Sequence, residues 1–251
     1  MLTFLCKPAQ ILCRYERSGM RVARVFAAGL GMCLPTVTAA CDLALTLAVD
    51  VSGSVDSREF DIQMTGLADA LRDDSIAEAL VRAEAAITVI QWTGKTRQHV
   101  SIDWTRVRDF DELETLASQV AETSRRWRNF ATAIGSALEV AIGTFADAPD
   151  CRRRVIDVSG DGVSNEGPEP SSFKPRLSAA GITVNALAIE GADEDVTAYY
   201  WENVIHGDGA FVVTANGFDA YSEQIRRKLL KEVVKQVSSI ERTEELPAGR
   251  Q

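Results

Sequence analysis

The sequence predicts an α/β domain built on an open, mostly parallel sheet. Three observations lead there. Short apolar runs such as Leu43 to Val49 alternate with amphipathic segments at helical spacing, the pattern of strands buried on both faces between helices. A turn of only a few residues, Thr93 to Thr96, joins two strand candidates and so calls for one antiparallel strand at an edge. Finally, no repeat, low-complexity tract or long linker interrupts the alternation after residue 41, so one core accounts for it. With 251 residues, 46% apolar and 25% charged, the chain can build such a core.

The elements follow in order. Leu43 to Val49 is the first strand, ending in Asp50. Val55-Asp56-Ser57-Arg58-Glu59-Phe60 then supplies an N-cap Asp, a Glu three residues on to close a capping box, and a Val55 to Phe60 staple, so a helix starts there. Its core face is Phe60, Met64, Leu67 and Leu71. Strands Ala85 to Trp92 and His99 to Trp104 form the hairpin. Helices are expected around Asp111 to Glu122 and Thr132 to Phe145, then strands Arg154 to Ser159 and Ile182 to Ile189. Helix Asp195 to Val204, a short strand Phe211 to Val213, and a last helix near Phe218 to Val237 complete the domain.

Ahead of residue 41 the order is Arg21 and Arg24, an apolar run from Val25 to Leu34, then Thr38, Ala39 and Ala40. That order reads as a secretory signal peptide over residues 1–40, cleaved after Ala40, with Met20 as an alternative start. The apolar run, roughly ten residues, is about half of what a bilayer-spanning helix needs, and a retained anchor is the weaker reading. The expected organisation is therefore 1–40 signal peptide, 41–239 domain, and 240–251 a flexible polar tail. Cleavage removes five Lys or Arg and one Glu from totals of 27 and 36, so the remaining chain is more acidic than the full chain's −9. Nucleic acid and anionic membrane surfaces are poor partners for it.

Cleavage also discards Cys6, Cys13 and Cys33, leaving Cys41 and Cys151 as an even pair in an oxidising, periplasmic or extracellular compartment. A disulfide between them is the expected reading, with two free thiols as the alternative. A third is lipidation of Cys41, because Thr38-Ala39-Ala40-Cys41 partly matches a lipoprotein signal; Thr38 stands where that signal usually has Leu, which ranks it second.

In open α/β sheets, ligands sit beyond the carboxyl ends of the strands. Asp50-Val51-Ser52-Gly53-Ser54 follows the first strand and places one carboxylate and two hydroxyls on alternate residues. Gly160-Asp161-Gly162 follows strand Arg154 to Ser159, and Thr132 opens the helix of Phe130-Ala131-Thr132-Ala133-Ile134-Gly135. Two carboxylates and three hydroxyls make a hard oxygen set, suited to Mg²⁺, with Mn²⁺ or Ca²⁺ as alternatives, and poorly suited to zinc or copper.

This three-part pattern resembles the metal-ion-dependent adhesion site of von Willebrand factor A domains, over roughly residues 42 to 238. Within that superfamily, Asp50-Val51-Ser52-Gly53-Ser54-Val55-Asp56 and Val155-Ile156-Asp157-Val158-Ser159-Gly160-Asp161-Gly162 look like a branch of exported bacterial proteins of unknown function. The resemblance implies a Rossmann-like, doubly wound sheet of order 3-2-1-4-5-6 with helices on both faces. It also implies Ser52, Ser54 and Thr132 as hydroxyl ligands, with Asp50 and Asp161 coordinating directly or through water. Such a site binds a protein partner whose Asp or Glu completes the cation's shell, and it is not an enzyme's. In that order the first and fourth strands are neighbours, with Cys41 and Cys151 just ahead of them at one sheet edge. Competing expectations are a metal-assisted hydrolase at the same site, which lacks an evident general base, and a structural domain with a purely stabilising metal.

Other signals carry less. Gly94-Lys95-Thr96 mimics a phosphate loop, but Val89 stands where that loop needs Gly and a strand follows. No Gly-x-Ser-x-Gly elbow occurs. His99 and His206 read as structural. Asp157, inside a buried strand, calls for a basic or hydroxyl partner. Arg152-Arg153-Arg154 reads as a solvated lead-in to a strand; Arg125, Arg126 and Arg128 read first as a solvated face and second as a ring around the cation site.

Overall fold

A computed structural model describes residues 41–191 and 195–244, with side chains to Val233. Residues 1–40 and 245–251 lie outside it, and with them the expected signal peptide, Met20 and the end of the tail; Val237 lies beyond the described side chains. Six strands form the sheet: β1 (Cys41–Asp50), β2 (Ala86–Trp92), β3 (Gln98–Arg106), β4 (Cys151–Gly160), β5 (Ile182–Glu190) and β6 (Val212–Asn216). Their order is β3-β2-β1-β4-β5-β6, and β2 with β3 is the antiparallel pair. The expected fold class and strand order are both present. Among the described residues seven α-helices accompany the sheet: α1 (Ser57–Leu71), α2 (Asp74–Arg82), α3 (Phe110–Glu122), α4 (Ile134–Thr144), α5 (Lys174–Ala180), α6 (Val196–Asn203) and α7 (Tyr221–Glu244).

Strand alternation sends neighbouring residues to opposite faces. Leu45, Leu47 and Val49 of β1 join Phe60, Met64, Leu67 and Leu71 of α1, Leu116 of α3, and Ile225 and Leu229 of α7 in one core cluster. Ala48 of β1 joins Ile156 and Val158 of β4, Leu138 of α4 and Tyr200 of α6 in the other. Helix α1 starts where its capping box predicts: the Asp56 carboxylate accepts from the Glu59 amide at 2.8 Å, and the Asp56 amide donates to the Glu59 carboxylate at 2.7 Å.

Several boundaries differ from expectation. The sequence reading assigned no helix to α2 or α5. For α2 a signal existed, since Asp73 caps it and Ile76 and Leu80 are buried. For α5 the signals were only at its ends, Pro175 in the first turn and Gly181 as a left-handed cap, because Leu177 alone is buried and a single apolar residue makes no stripe. Thr132 precedes α4 rather than opening it, with Ala133 at the N-cap. Backbone helix α7 continues to Glu244, past the expected boundary at residue 239.

The start of β4 also moves. Cys151 and the three arginines lie inside the strand, and Cys41 pairs in register with Cys151. The two are joined by a disulfide, with a Cα–Cα distance of 4.5 Å. The adjacent strand starts thus place the thiols face to face, while the ends of the closed loop are 110 residues apart in sequence.

Nor is the arginine run only solvated. Arg152 is exposed and pairs with Asp42 at 3.1 Å, but Arg153 lies 3.8 Å from the fully buried Glu232 of α7. Glu232 accepts a hydrogen bond from the side-chain amide of Asn185 on β5. One turn earlier Lys228, also fully buried, forms an ion pair with Asp157 of β4. The expected basic partner of Asp157 is therefore a lysine delivered by α7. Burial raises the carboxyl pKa values of Asp157 and Glu232, and the Lys228 charge lowers both.

Two outcomes follow from this packing. Reduction of the Cys41–Cys151 bridge should lower stability by about 2–4 kcal/mol in urea unfolding with and without reductant, because it frees a long loop in the unfolded chain. Lys228→Met should cost about 3–5 kcal/mol by leaving buried carboxylates unpaired, and adding Asp157→Leu should restore much of that loss.

Candidate metal centre

The carboxyl ends of β1 and β4 lie side by side, and the loops that leave them carry the candidate residues. Asp50, the last residue of β1, is fully buried. Its Oδ1 accepts from the Ser52 amide at 2.7 Å, which bends the chain into a tight turn. Its Oδ2 is buried without a hydrogen-bond partner. The turn brings the Ser52 and Ser54 hydroxyls within 3.1 Å of each other, and Ser54 Oγ donates to Asp161 Oδ1 at 2.7 Å. A residue from each of the two loops is thus in direct contact.

Thr132 arrives from a third loop and is held firmly. Its amide donates to Asn165 Oδ1 at 2.9 Å, and its carbonyl accepts from the Asn165 amide at 2.9 Å. Asn165 belongs to the loop that follows Asp161. Thr132 Oγ1 lies 3.7 Å from where a β-carbon on Gly162 would stand, so the hydroxyl faces the Asp161 loop. All five expected residues therefore meet at one rim of the sheet.

Two further groups brace the rim. The Arg125 guanidinium donates to the Val51 and Ser52 carbonyls at 3.2 and 2.9 Å. Of the arginine cluster, Arg125 is half-buried and holds the turn, while Arg126 and Arg128 are exposed. The Gly53 amide donates to the Phe130 carbonyl at 2.8 Å, and a β-carbon at Gly53 would stand 3.2 Å from that oxygen, so the close approach favours glycine. Beside the turn, a cleft of about 550 Å³ is lined by Gln91, His99, Arg125, Arg126 and Trp127 among others. The two histidines have structural contacts: His99 packs edge-on to Trp127, and His206 shares a 2.9 Å hydrogen bond with Ser178.

Electrostatics make the rim costly as it stands. Burial, the Asp161 charge next, holds the Asp50 carboxyl well above its ordinary 3.8, against the opposing Ser52 hydrogen bonds and Arg125 charge. Burial also raises Asp161, against the hydrogen bond from Ser54. Among the described residues no three His, Cys, Asp or Glu side chains gather as a metal cluster, so the donor set here is two acids and three hydroxyls. A hard, all-oxygen set with one buried carboxylate oxygen lacking a donor suits a divalent cation such as Mg²⁺.

One neighbour had no signal in the sequence. Tyr200 of α6 is fully buried, its hydroxyl has no hydrogen-bond partner, and it points at the same rim over Gly160. Three aromatic residues follow one another in α6, Tyr199, Tyr200 and Trp201, and nothing in that run singles out Tyr200.

A family model described as "Protein of unknown function (DUF1194)" matches residues 40–237. The chain belongs to this DUF1194 family. No curated protein matches it. Among solved structures, the DUF1194 chain is similar to proximal thread matrix protein 1 from the mussel byssus, with 18% identity, TM-score 0.59, and coverage of 76% of this chain and 48% of that one. A second structure of that mussel protein carries a zinc-occupied MIDAS motif. A von Willebrand factor type A protein from Catenulispora acidiphila is 16% identical with TM-score 0.55, over 76% of this chain and 43% of that one. The pilus adhesin SpaC from Lactobacillus rhamnosus GG is 14% identical with TM-score 0.58, over 78% and 30%. The DUF1194 chain thus spans about half of the mussel protein and less of the other two. Its fold is that of von Willebrand factor A domains.

With a chelator present, the raised carboxyls set the sign of a pH effect. Folded Asp50 and Asp161 take up protons before their unfolded counterparts, so this pair adds stability as pH falls toward 3.8. Melting curves in chelator, followed from neutral pH down toward 3.8, should show a larger acid-side gain for the parent than for Asp161→Asn, and equal gains would contradict it.

Proposed function

We propose that this protein is an exported, metal-dependent binding module of the adhesion type. Residues 1–40 serve as its signal peptide, and a divalent cation, Mg²⁺ in the first instance, with Mn²⁺ or Ca²⁺ as substitutes, is held by Asp50, Ser52, Ser54, Thr132 and Asp161. The observation that carries this reading is the buried, unpartnered Oδ2 of Asp50 at a rim where two acids and three hydroxyls converge. A bound cation would supply positive charge that offsets the desolvated carboxylates, and an open coordination position for a partner's Asp or Glu. Similarity to a mussel protein whose MIDAS motif is occupied by zinc, a softer cation than this oxygen set is expected to favour, and to a pilus adhesin supports a divalent metal and protein binding. The guanidiniums of Arg125 and Arg126 in the neighbouring cleft favour an acidic partner surface.

The disulfide supports export, since such bridges persist in oxidising compartments. Among the described residues no helix is long and apolar enough to cross a membrane. Using Cys41 in the bridge leaves no free thiol there for a lipid, so a periplasmic or secreted protein is the favoured form.

Two measurements test this. Millimolar Mg²⁺ or Mn²⁺ should raise the melting temperature, and Asp161→Ala should abolish the rise; identical curves with cation and with chelator would refute cation binding. Immobilised mature protein should retain a partner from an envelope extract in Mg²⁺ and release it on chelation, whereas Ser54→Ala should retain none. Retention indifferent to chelator would leave the metal a stabilising role only.

A further inference from the structure

The row of residues that crosses the sheet at the candidate site is unusually small on one side of Asp50. Asp50 pairs with Trp92 of β2, and Ser159 of β4 pairs with Val49, which sets Gly160 beside Asp50; Ala188 of β5 pairs with Gly160 in turn. These four residues share a register level, and alternation gives their side chains the same face of the sheet. Glycine and alanine leave a recess there. Tyr200, from α6, shares a core cluster with Ala188 and brings its hydroxyl over Gly160.

Its hydroxyl ends close to Asp50. A β-carbon on Gly160 would stand 2.5 Å from the Tyr200 hydroxyl and 2.8 Å from Asp50 Oδ2. The two oxygens are therefore no farther apart than about two hydrogen-bond lengths, the span that one bridging water covers. Neither has a hydrogen-bond partner among the described residues, and both are buried. An orphaned buried donor and an orphaned buried acceptor each cost about 1–3 kcal/mol, and here they face the same small space. Asp50 Oδ1 is already engaged by the Ser52 amide, so Oδ2 is the oxygen left to be oriented. The backbone that carries the phenol is anchored, since the Tyr200 carbonyl accepts from the Val204 and Ile205 amides at 3.0 Å each.

We propose that Tyr200 is a sixth member of this cation site, a positioning residue whose hydroxyl donates through one water to Asp50 Oδ2. It closes the inner wall of the site, on the side away from any partner, and fixes the carboxylate's rotamer before a cation binds. Gly160 belongs to the same device, because any side chain at that position would displace either oxygen. The proposal rests on the cation reading above, and adds to it a residue from a helix that the Asp-x-Ser-x-Ser, Thr and Asp elements do not include.

The test is calorimetric titration of Mg²⁺ into the mature parent, Tyr200→Phe and Gly160→Ala. Phe keeps the ring and its packing while deleting the donor, so the magnesium-free melting temperature should stay level or rise, and Mg²⁺ affinity should fall about 10- to 100-fold. Gly160→Ala, which places a methyl group between the two oxygens, should weaken Mg²⁺ similarly and serves if Tyr200→Phe fails to fold. Unchanged affinity in a folded Tyr200→Phe beside a binding parent would overturn the role of Tyr200 alone, as would a change confined to magnesium-free stability. A parent that binds no Mg²⁺ would overturn the cation site itself.

Discussion

A carboxylate with no exposure to water, at the end of the central strand, constrains much of what surrounds it. Asp50 is desolvated, lies near a second acid, and has one oxygen without a donor. Burying such a group is tolerable when charge or hydrogen bonds compensate it. Compensation comes from the Ser52 amide and hydroxyl of its own loop and from the Arg125 charge. The rim is organised around that carboxylate, with two acids and three hydroxyls on adjoining loops.

Rigid neighbours keep the arrangement in place. The three loops are tied to one another by direct contacts, Ser54 to Asp161, Thr132 to Asn165 and Gly53 to Phe130, so no loop can move alone without breaking a hydrogen bond. At the opposite end of β1 and β4 the Cys41–Cys151 bridge joins the same two strands. On the other face of the sheet, Lys228 and Glu232 of α7 reach Asp157, Asn185 and Arg153 through buried polar contacts, which specify how the last helix docks. The strand pair bearing both acids is therefore pinned at its amino end, at its rim and from behind.

Much of this was legible from local signals. Apolar runs marked the strands, and Asp56 with Glu59 marked the start of α1, because period and capping chemistry act over a few residues. Asp50, Ser52 and Ser54 stood out for the same reason, being close in sequence. Short elements were harder: α5 buries a single leucine, and the arginines before Val155 looked like a solvated lead-in until a buried Glu232 from α7 appeared opposite one of them. That partner is 79 residues away along the chain, beyond the reach of any local pattern.

The sequence by itself determined the strands, the order of the motif and the residue types of a hard oxygen site, because those depend on spacing and chemistry within short windows. Only the tertiary structure decided that Thr132 faces the Asp161 loop, that Asp157 meets Lys228, and that the Tyr200 hydroxyl stands over Gly160. Those contacts arise from strand register and helix docking, which the whole core sets together and no single segment encodes.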